Sequence, residues 1–173
     1  MSFHIPDRFF TRITQIDVQK DLLDLGFNNC LLDVDNTILT RDESIVPKDV
    51  LAWLNNAQEK GINFCLISND WHKNVVDLSK EIGLPIVVRA LKPLPFAYFK
   101  AMKKIGSNKT NTISIGDQLM TDVFGAHVCG LKCYLLKPLV EKDLIHTLFL
   151  RKLEKLILNG RKPEPLRMVK NAI

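Results

Sequence analysis

Five short apolar runs punctuate the chain, at 29–34, 62–68, 85–89, 112–115 and 132–136, each closed by turn or polar residues. Several are continuous instead of alternating, which suits strands covered on both faces, as in a parallel sheet. Between them lie segments of helical period. Residues 47–60 open on Pro47, suited to a first helical turn, and stop at Gly61. Their apolar positions Val50, Leu51, Leu54 and Ala57 recur three and four apart. The same logic predicts helices over 73–82, 96–105 and 119–129, each followed by a glycine: Gly83, Gly106 and Gly130. Strand–helix alternation at this pace predicts an α/β fold with an open, doubly wound, mainly parallel sheet of five strands and right-handed crossovers. In such sheets a ligand binds beyond the carboxyl ends of the strands, where strand order reverses.

A chain of 173 residues is long enough for one domain with a core and short for two. The expected organisation is a single domain over 1–173: an amphipathic N-terminal segment (1–27), a catalytic core (28–137) and a basic C-terminal helix and tail (138–173). Apolar and charged contents of 46% and 25% are ordinary for a globular protein. No run of about 18 apolar residues is free of charge, so no membrane span is expected. The first residues lack the basic and apolar regions of a secretory signal. Cys30, Cys65, Cys129 and Cys133 read as reduced thiols in or near the core, because no second pair completes a zinc spacing with Cys129 and Cys133. A reducing, cytoplasmic location is therefore expected. The net charge of +5 is concentrated at the C-terminal end, where residues 132–173 hold 10 Lys/Arg against 4 Asp/Glu.

The ends of the predicted strands carry the chemistry. The first runs into Asp33-Val34-Asp35-Asn36-Thr37, the second into Ser68-Asn69-Asp70, and the third is followed by Ala90-Leu91-Lys92-Pro93. The fourth ends Gly116-Asp117 and continues to Thr121-Asp122. Taken singly, each has an ordinary reading: a surface turn at Asp33 and Asp35, a helix cap at Ser68, a solvated lysine at Lys92, a helix-surface acid at Asp122. His72 beside Trp71 reads as a loop or helix-start residue. Acids, a hydroxyl and an amine delivered from four successive strands to one edge make a stronger statement than any member.

In that order, Asp33-x-Asp35-x-Thr37, Ser68, Lys92 and Gly116-Asp117-x-x-x-x-Asp122 resemble the four motifs of haloacid-dehalogenase (HAD) phosphohydrolases, over roughly residues 28–137. The fuller phrases Asp33-Val34-Asp35-Asn36-Thr37, Lys92-Pro93 and Gly116 to Asp122 are similar to the YqeG branch, subclass IIIA, related to phosphatidylglycerophosphate phosphatases. The resemblance implies a three-layer α/β/α Rossmann-like HAD core and Mg²⁺-dependent hydrolysis of a phosphomonoester through an aspartyl-phosphate. Asp33 would be the nucleophile and a metal ligand. Asp35 would act as acid and base, offering its carbonyl to the metal. Asp117 would be a further ligand, and Asp122 would bind metal through water or orient Lys92. Ser68 and Asn69 would hold the phosphate, Lys92 would neutralise it, and Thr37 would brace the first loop at the phosphate site.

About 30 residues separate Asp35 from Ser68, and one helix fills most of them. No large cap domain is expected, so the site should be open to a phosphate displayed on something large. The N-terminal aromatics and arginines (Phe3, Arg8, Phe9, Phe10, Arg12) and a basic amphipathic stretch at 140–158 suit an anionic membrane interface, or else pack on the sheet and display a solvated basic face. The leading expectation is a peripheral phosphatase on the inner face of the membrane, converting phosphatidylglycerophosphate to phosphatidylglycerol. The alternatives are an uncapped phosphatase for a soluble or macromolecular phosphomonoester, and a signalling receiver domain. No nucleic-acid motif is present, and the sequence carries no signature of oligomeric state.

Overall fold

The computed structural model describes residues 4–39, 45–139, 157–158 and 160–165. Among the described residues six strands form one sheet: β1 (Arg8–Phe10), β2 (Asn29–Asp33), β3 (Asn63–Ile67), β4 (Ile86–Val87), β5 (Thr112–Gly116) and β6 (Lys132–Leu136). Their order is β1-β6-β5-β2-β3-β4, and every pairing is parallel. The chain moves outward from β2 through β3 to β4, then returns to the other side of β2 as β5 and moves outward again to β6. Strand order therefore reverses between β2 and β5.

Among the helices with both ends in the described residues, α1 (Lys48–Glu59), α2 (Lys73–Glu81), α3 (Phe96–Lys104) and α4 (Phe124–Val128) cover the sheet. Side chains of a strand alternate between faces. In β2, Cys30 and Leu32 join one core with Val50, Trp53 and Leu54 of α1 and Val75 and Leu78 of α2. Leu31 points into the opposite core, with Ala97, Tyr98 and Ala101 of α3 and Ala126 of α4. Two covered faces explain why the strand runs are mostly apolar instead of alternating.

The expected sheet of five strands gains a sixth, β1, because three residues after Pro6 pair with β6. Residues 8–10 of the N-terminal segment thereby pack on the sheet, the second of its two readings. Phe10 is buried and packs against Tyr134 at 5.5 Å between ring centres. Arg8 lies over both rings and pairs with Asp21 (2.6 Å) and Glu164 (2.5 Å). Residues 13–25 then cross the α1 side, where the Trp53 indole donates to the Ile16 carbonyl at 2.8 Å. The basic amphipathic stretch expected at 140–158 lies almost wholly outside the described residues.

Two further boundaries differ. The strand expected over 85–89 is only Ile86–Val87, since Arg89 and Leu91 adopt left-handed backbone (φ +50° and +51°), which ends extended pairing. The helix expected over 119–129 is a wide π-type turn, Leu119–Val123, followed by α4. Among the described residues no cap domain interrupts the core. No described helix is long and apolar enough to cross a membrane. The four cysteines are buried free thiols, and burial raises Cys65 to about 12 and Cys129 to about 11.

Candidate active site

The two strands beside the order reversal, β2 and β5, end in Asp33 and Gly116-Asp117. Beyond Asp33 the chain curls tightly: the Val34 carbonyl accepts from the amides of Thr37, Ile38 and Leu39 at 3.3, 3.1 and 3.0 Å, and Asn36 takes a left-handed φ of +59°. This curl brings Thr37 back so that its hydroxyl donates to Asp33 Oδ2 at 3.0 Å. It turns Asp35 towards β3, where Ser68 Oγ donates to Asp35 Oδ2 at 2.9 Å and accepts from the Asp70 amide at 2.9 Å. Two acids that would share a face in a regular strand thus acquire different partners.

Lys92 enters from the loop after β4. Its amide donates to Asn69 Oδ1 at 2.7 Å, and Asn69 Nδ2 donates to its carbonyl at 3.2 Å, so the residue after Ser68 clasps the lysine's own backbone. The ammonium is buried between Asp33 Oδ1 (2.5 Å) and Asp122 Oδ1 (2.6 Å). Asp122 reaches it from the wide turn, where its other oxygen accepts the Gln118 amide at 3.1 Å. Gly116 permits that approach: a methyl group there would stand 2.4 Å from Asp122 Cγ. Tyr98 of α3 braces the same turn from beneath, donating to the Thr121 carbonyl at 2.9 Å and lying 3.3 Å from that of Asp122.

Asp33, Asp117 and Asp122 are buried, and each offers a carboxylate oxygen within 4.8 Å of the others. With Lys92 between two of them, the four groups carry a formal charge of −2 when all are ionised. Oxygen-only donors of that charge fit a hard divalent cation. The electrostatics agree. Burial, then the charges of Asp122 and Asp35, push Asp33 up to about 7 against the pull of Lys92. Burial alone would lower Lys92, but Asp122 and Asp33 outweigh it and hold the ammonium well above the usual lysine range. A cation beside Asp33 would reverse its shift by favouring the carboxylate.

The structure gathers the expected residues at one edge, with differences in detail. Thr37 and Asn69 face protein partners: Thr37 braces Asp33, and Asn69 holds the Lys92 loop. Both Asp122 oxygens engage protein donors, Lys92 Nζ and the Gln118 amide. The Asp35 side chain lies outside the carboxylate trio. His72 is largely exposed, 3.5 Å from Asp70, and does not join the cluster. Sequence reasoning missed Tyr98 and the steric role of Gly116. The glycine six residues before an inward acid was the available signal, whereas nothing local marks Tyr98.

Residues 7–130 match the family described as haloacid dehalogenase-like hydrolase. The chain belongs to the haloacid dehalogenase-like hydrolases. It is 31% identical over 160 residues to "Probable phosphatase YqeG" of Bacillus subtilis, covering 92% of each chain. Two solved structures share the hydrolase fold. One is a HAD phosphatase from Thermococcus onnurineus (TM-score 0.56, 16% identity, 78% of this chain and 99% of that one). The other is a cobalt-bound deoxy-D-mannose-octulosonate 8-phosphate phosphatase from Haemophilus influenzae (0.52, 16%, 78% and 88%). Family and site together make this hydrolase a phosphatase, which sets aside the receiver-domain alternative.

Proposed function

We propose that the protein is a Mg²⁺-dependent phosphomonoesterase working through an aspartyl-phosphate on Asp33. The observation that carries this reading is the buried trio Asp33, Asp117 and Asp122 with Lys92 held against Asp33. The cation would be held by the side chains of Asp33 and Asp117 and the main-chain carbonyl of Asp35, with Asp122 beside it. When bound, Mg²⁺ offsets the repulsion between a phosphate dianion and a carboxylate.

Asp33 attacks phosphorus, and the bond to the ester oxygen breaks as Asp35 gives that oxygen its proton. Asp35 then removes a proton from water, whose oxygen attacks the phosphoryl group, releasing inorganic phosphate and restoring Asp33. Before substrate enters, the hydrogen bond from Ser68 orients Asp35. Lys92 places a fixed positive charge beside the attacking carboxylate, oriented by Asp122. Ser68 and the amides after it contact the transferring group, with Asn69 and Thr37 fixing the loops around it.

The proposed substrate is the head group of phosphatidylglycerophosphate, met at the cytoplasmic membrane face. The YqeG-like motif phrases and the uncapped site support this reading. Phosphate release from phosphatidylglycerophosphate in anionic vesicles, with and without Mg²⁺, tests it against Asp33→Asn. Metal-dependent multiple turnover should vanish in the variant. Retained turnover in Asp33→Asn would refute the nucleophile assignment. Release from soluble esters with none from the lipid would refute the substrate.

A further inference from the structure

Exposed large apolar side chains are not evenly spread over the described residues. Trp71 follows β3, while Leu91, Leu94, Phe96 and Phe99 occupy the loop after β4 and the start of α3; Trp71 is 56% and Leu91 59% exposed. Backbone hydrogen bonds join these segments. Arg89 N donates to the Asp70 carbonyl (3.3 Å) and Ala90 N to that of Ser68 (3.0 Å), beside the Asn69–Lys92 clasp. The Arg89 guanidinium lies 4.1 Å over the Trp71 ring. The patch therefore rims the residues that carry Ser68 and Lys92. The left-handed backbone at Leu91 accompanies an exposed leucine immediately before the buried lysine.

Helix α3 is amphipathic in an unusual sense. It buries Ala97, Tyr98, Ala101 and Met102, and shows solvent Phe96 and Phe99 followed by Lys100, Lys103 and Lys104. From residue 82 to 116 the chain holds six Lys/Arg and no Asp/Glu. Asp70, the acid nearest Trp71 in sequence, accepts the Trp71 and His72 amides with its carboxylate.

We propose that this rim is a docking surface for an anionic lipid bilayer, seating the open phosphate site at head-group level. The proposal rests on the phosphatase reading and deepens its lipid substrate. Isolated aromatic and leucine side chains backed by lysines suit the boundary between acyl chains and anionic head groups. Aromatics with bases also serve single-stranded nucleic acid, but Leu91 and Leu94 offer no ring for a base to stack on. The surface differs from the N-terminal one expected from sequence, whose Arg8 and Phe10 are engaged in the fold.

The experiment is co-sedimentation of the full chain with phosphatidylcholine vesicles, with and without phosphatidylglycerol, for wild type, Phe96→Ser/Phe99→Ser and Lys100→Glu/Lys103→Glu. Wild type should partition onto the anionic vesicles. Both variants should lose roughly tenfold or more of that partitioning while hydrolysing soluble p-nitrophenyl phosphate at the wild-type rate. Wild-type partitioning by both variants would overturn the proposal. So would wild-type binding to single-stranded RNA without binding to vesicles. If the rim mediates vesicle binding but phosphatidylglycerophosphate is not hydrolysed, docking stands and the lipid-substrate reading fails. Equal hydrolysis and vesicle binding by wild type and both variants leaves that reading standing and removes the docking surface.

Discussion

Gly116→Ala should damage the site without removing one polar atom from it. The added methyl would meet Asp122 at 2.4 Å (Cγ), 2.6 Å (Oδ2) and 2.7 Å (Cβ), whereas ordinary contact begins near 3.4 Å. Something must therefore move by about 1 Å. Asp122 has little room to yield, because Lys92 and the Gln118 amide hold its two oxygens and Tyr98 braces its turn. Overpacking of this kind costs about 1–3 kcal/mol. Weakening a buried, charge-assisted hydrogen bond adds about 1.5–3 kcal/mol. A net loss of about 2.5–6 kcal/mol is expected, a large share of a typical domain's stability. Since an ångström of misplacement at a catalytic group can cost about a hundredfold, kcat should fall by that order. Urea unfolding of the metal-free protein and turnover of p-nitrophenyl phosphate read the two effects. Gly83→Ala is the control: φ is +69° there but a methyl meets nothing within 4 Å. It should cost only the left-handed penalty, about 1 kcal/mol, with kcat unchanged. If Gly116→Ala matches Gly83→Ala in both readings, the close approach of Asp122 to the strand end is wrong.

Binding of the proposed cation should be linked to protons, because Asp33 is pushed up to about 7 in the metal-free site and the cation would require its carboxylate. Mg²⁺ affinity should fall about tenfold per pH unit below about 7, with proton release seen by calorimetry in buffers of different ionisation enthalpy; a flat affinity would contradict this. A second pH effect belongs to Asp7, which ties the chain before β1 to β6. Burial would raise it, but contacts with His127, Lys132 and the Cys133 amide overcome that and hold it at about 2 instead of 3.8. A depressed acid stabilises the fold above the pH at which it ionises when unfolded, and that stability drains as pH falls from about 4 through about 2. Allowing for solvent screening of this partly exposed group, Asp7→Asn should cost about 1 kcal/mol at neutral pH. The difference from wild type in urea midpoints should vanish near pH 2, and a constant difference would refute the assignment.

Much of the fold was legible in the sequence because its signals are local. A strand core buried on both faces favours an unbroken apolar run, and residues 30–32 are apolar up to Asp33. A helix that must stop before a new strand favours glycine, and Gly61, Gly83 and Gly106 stand where α1, α2 and α3 give way. The order Asp33, Ser68, Lys92, Asp117 was readable for a related reason: each lies at or just beyond the end of a recognisable strand, so the fold class itself carries it to one edge.

What the sequence could not contain is how those residues divide their labour. Whether Asn69 faces a phosphate or clasps the Lys92 backbone depends on two loops 23 residues apart in sequence meeting side by side. Strand β1 is too short to show a period, and it exists because β6 offers an unpaired edge more than 120 residues later. Tyr98 looks like any aromatic on a buried helix face until α3 sets its hydroxyl beneath the turn carrying Asp122. Periodicity and turn chemistry act over a few residues and determined the elements. Charge balance, steric fit and exposure depend on which elements meet, so the buried trio, its lysine and the apolar rim beside them were decided only in three dimensions.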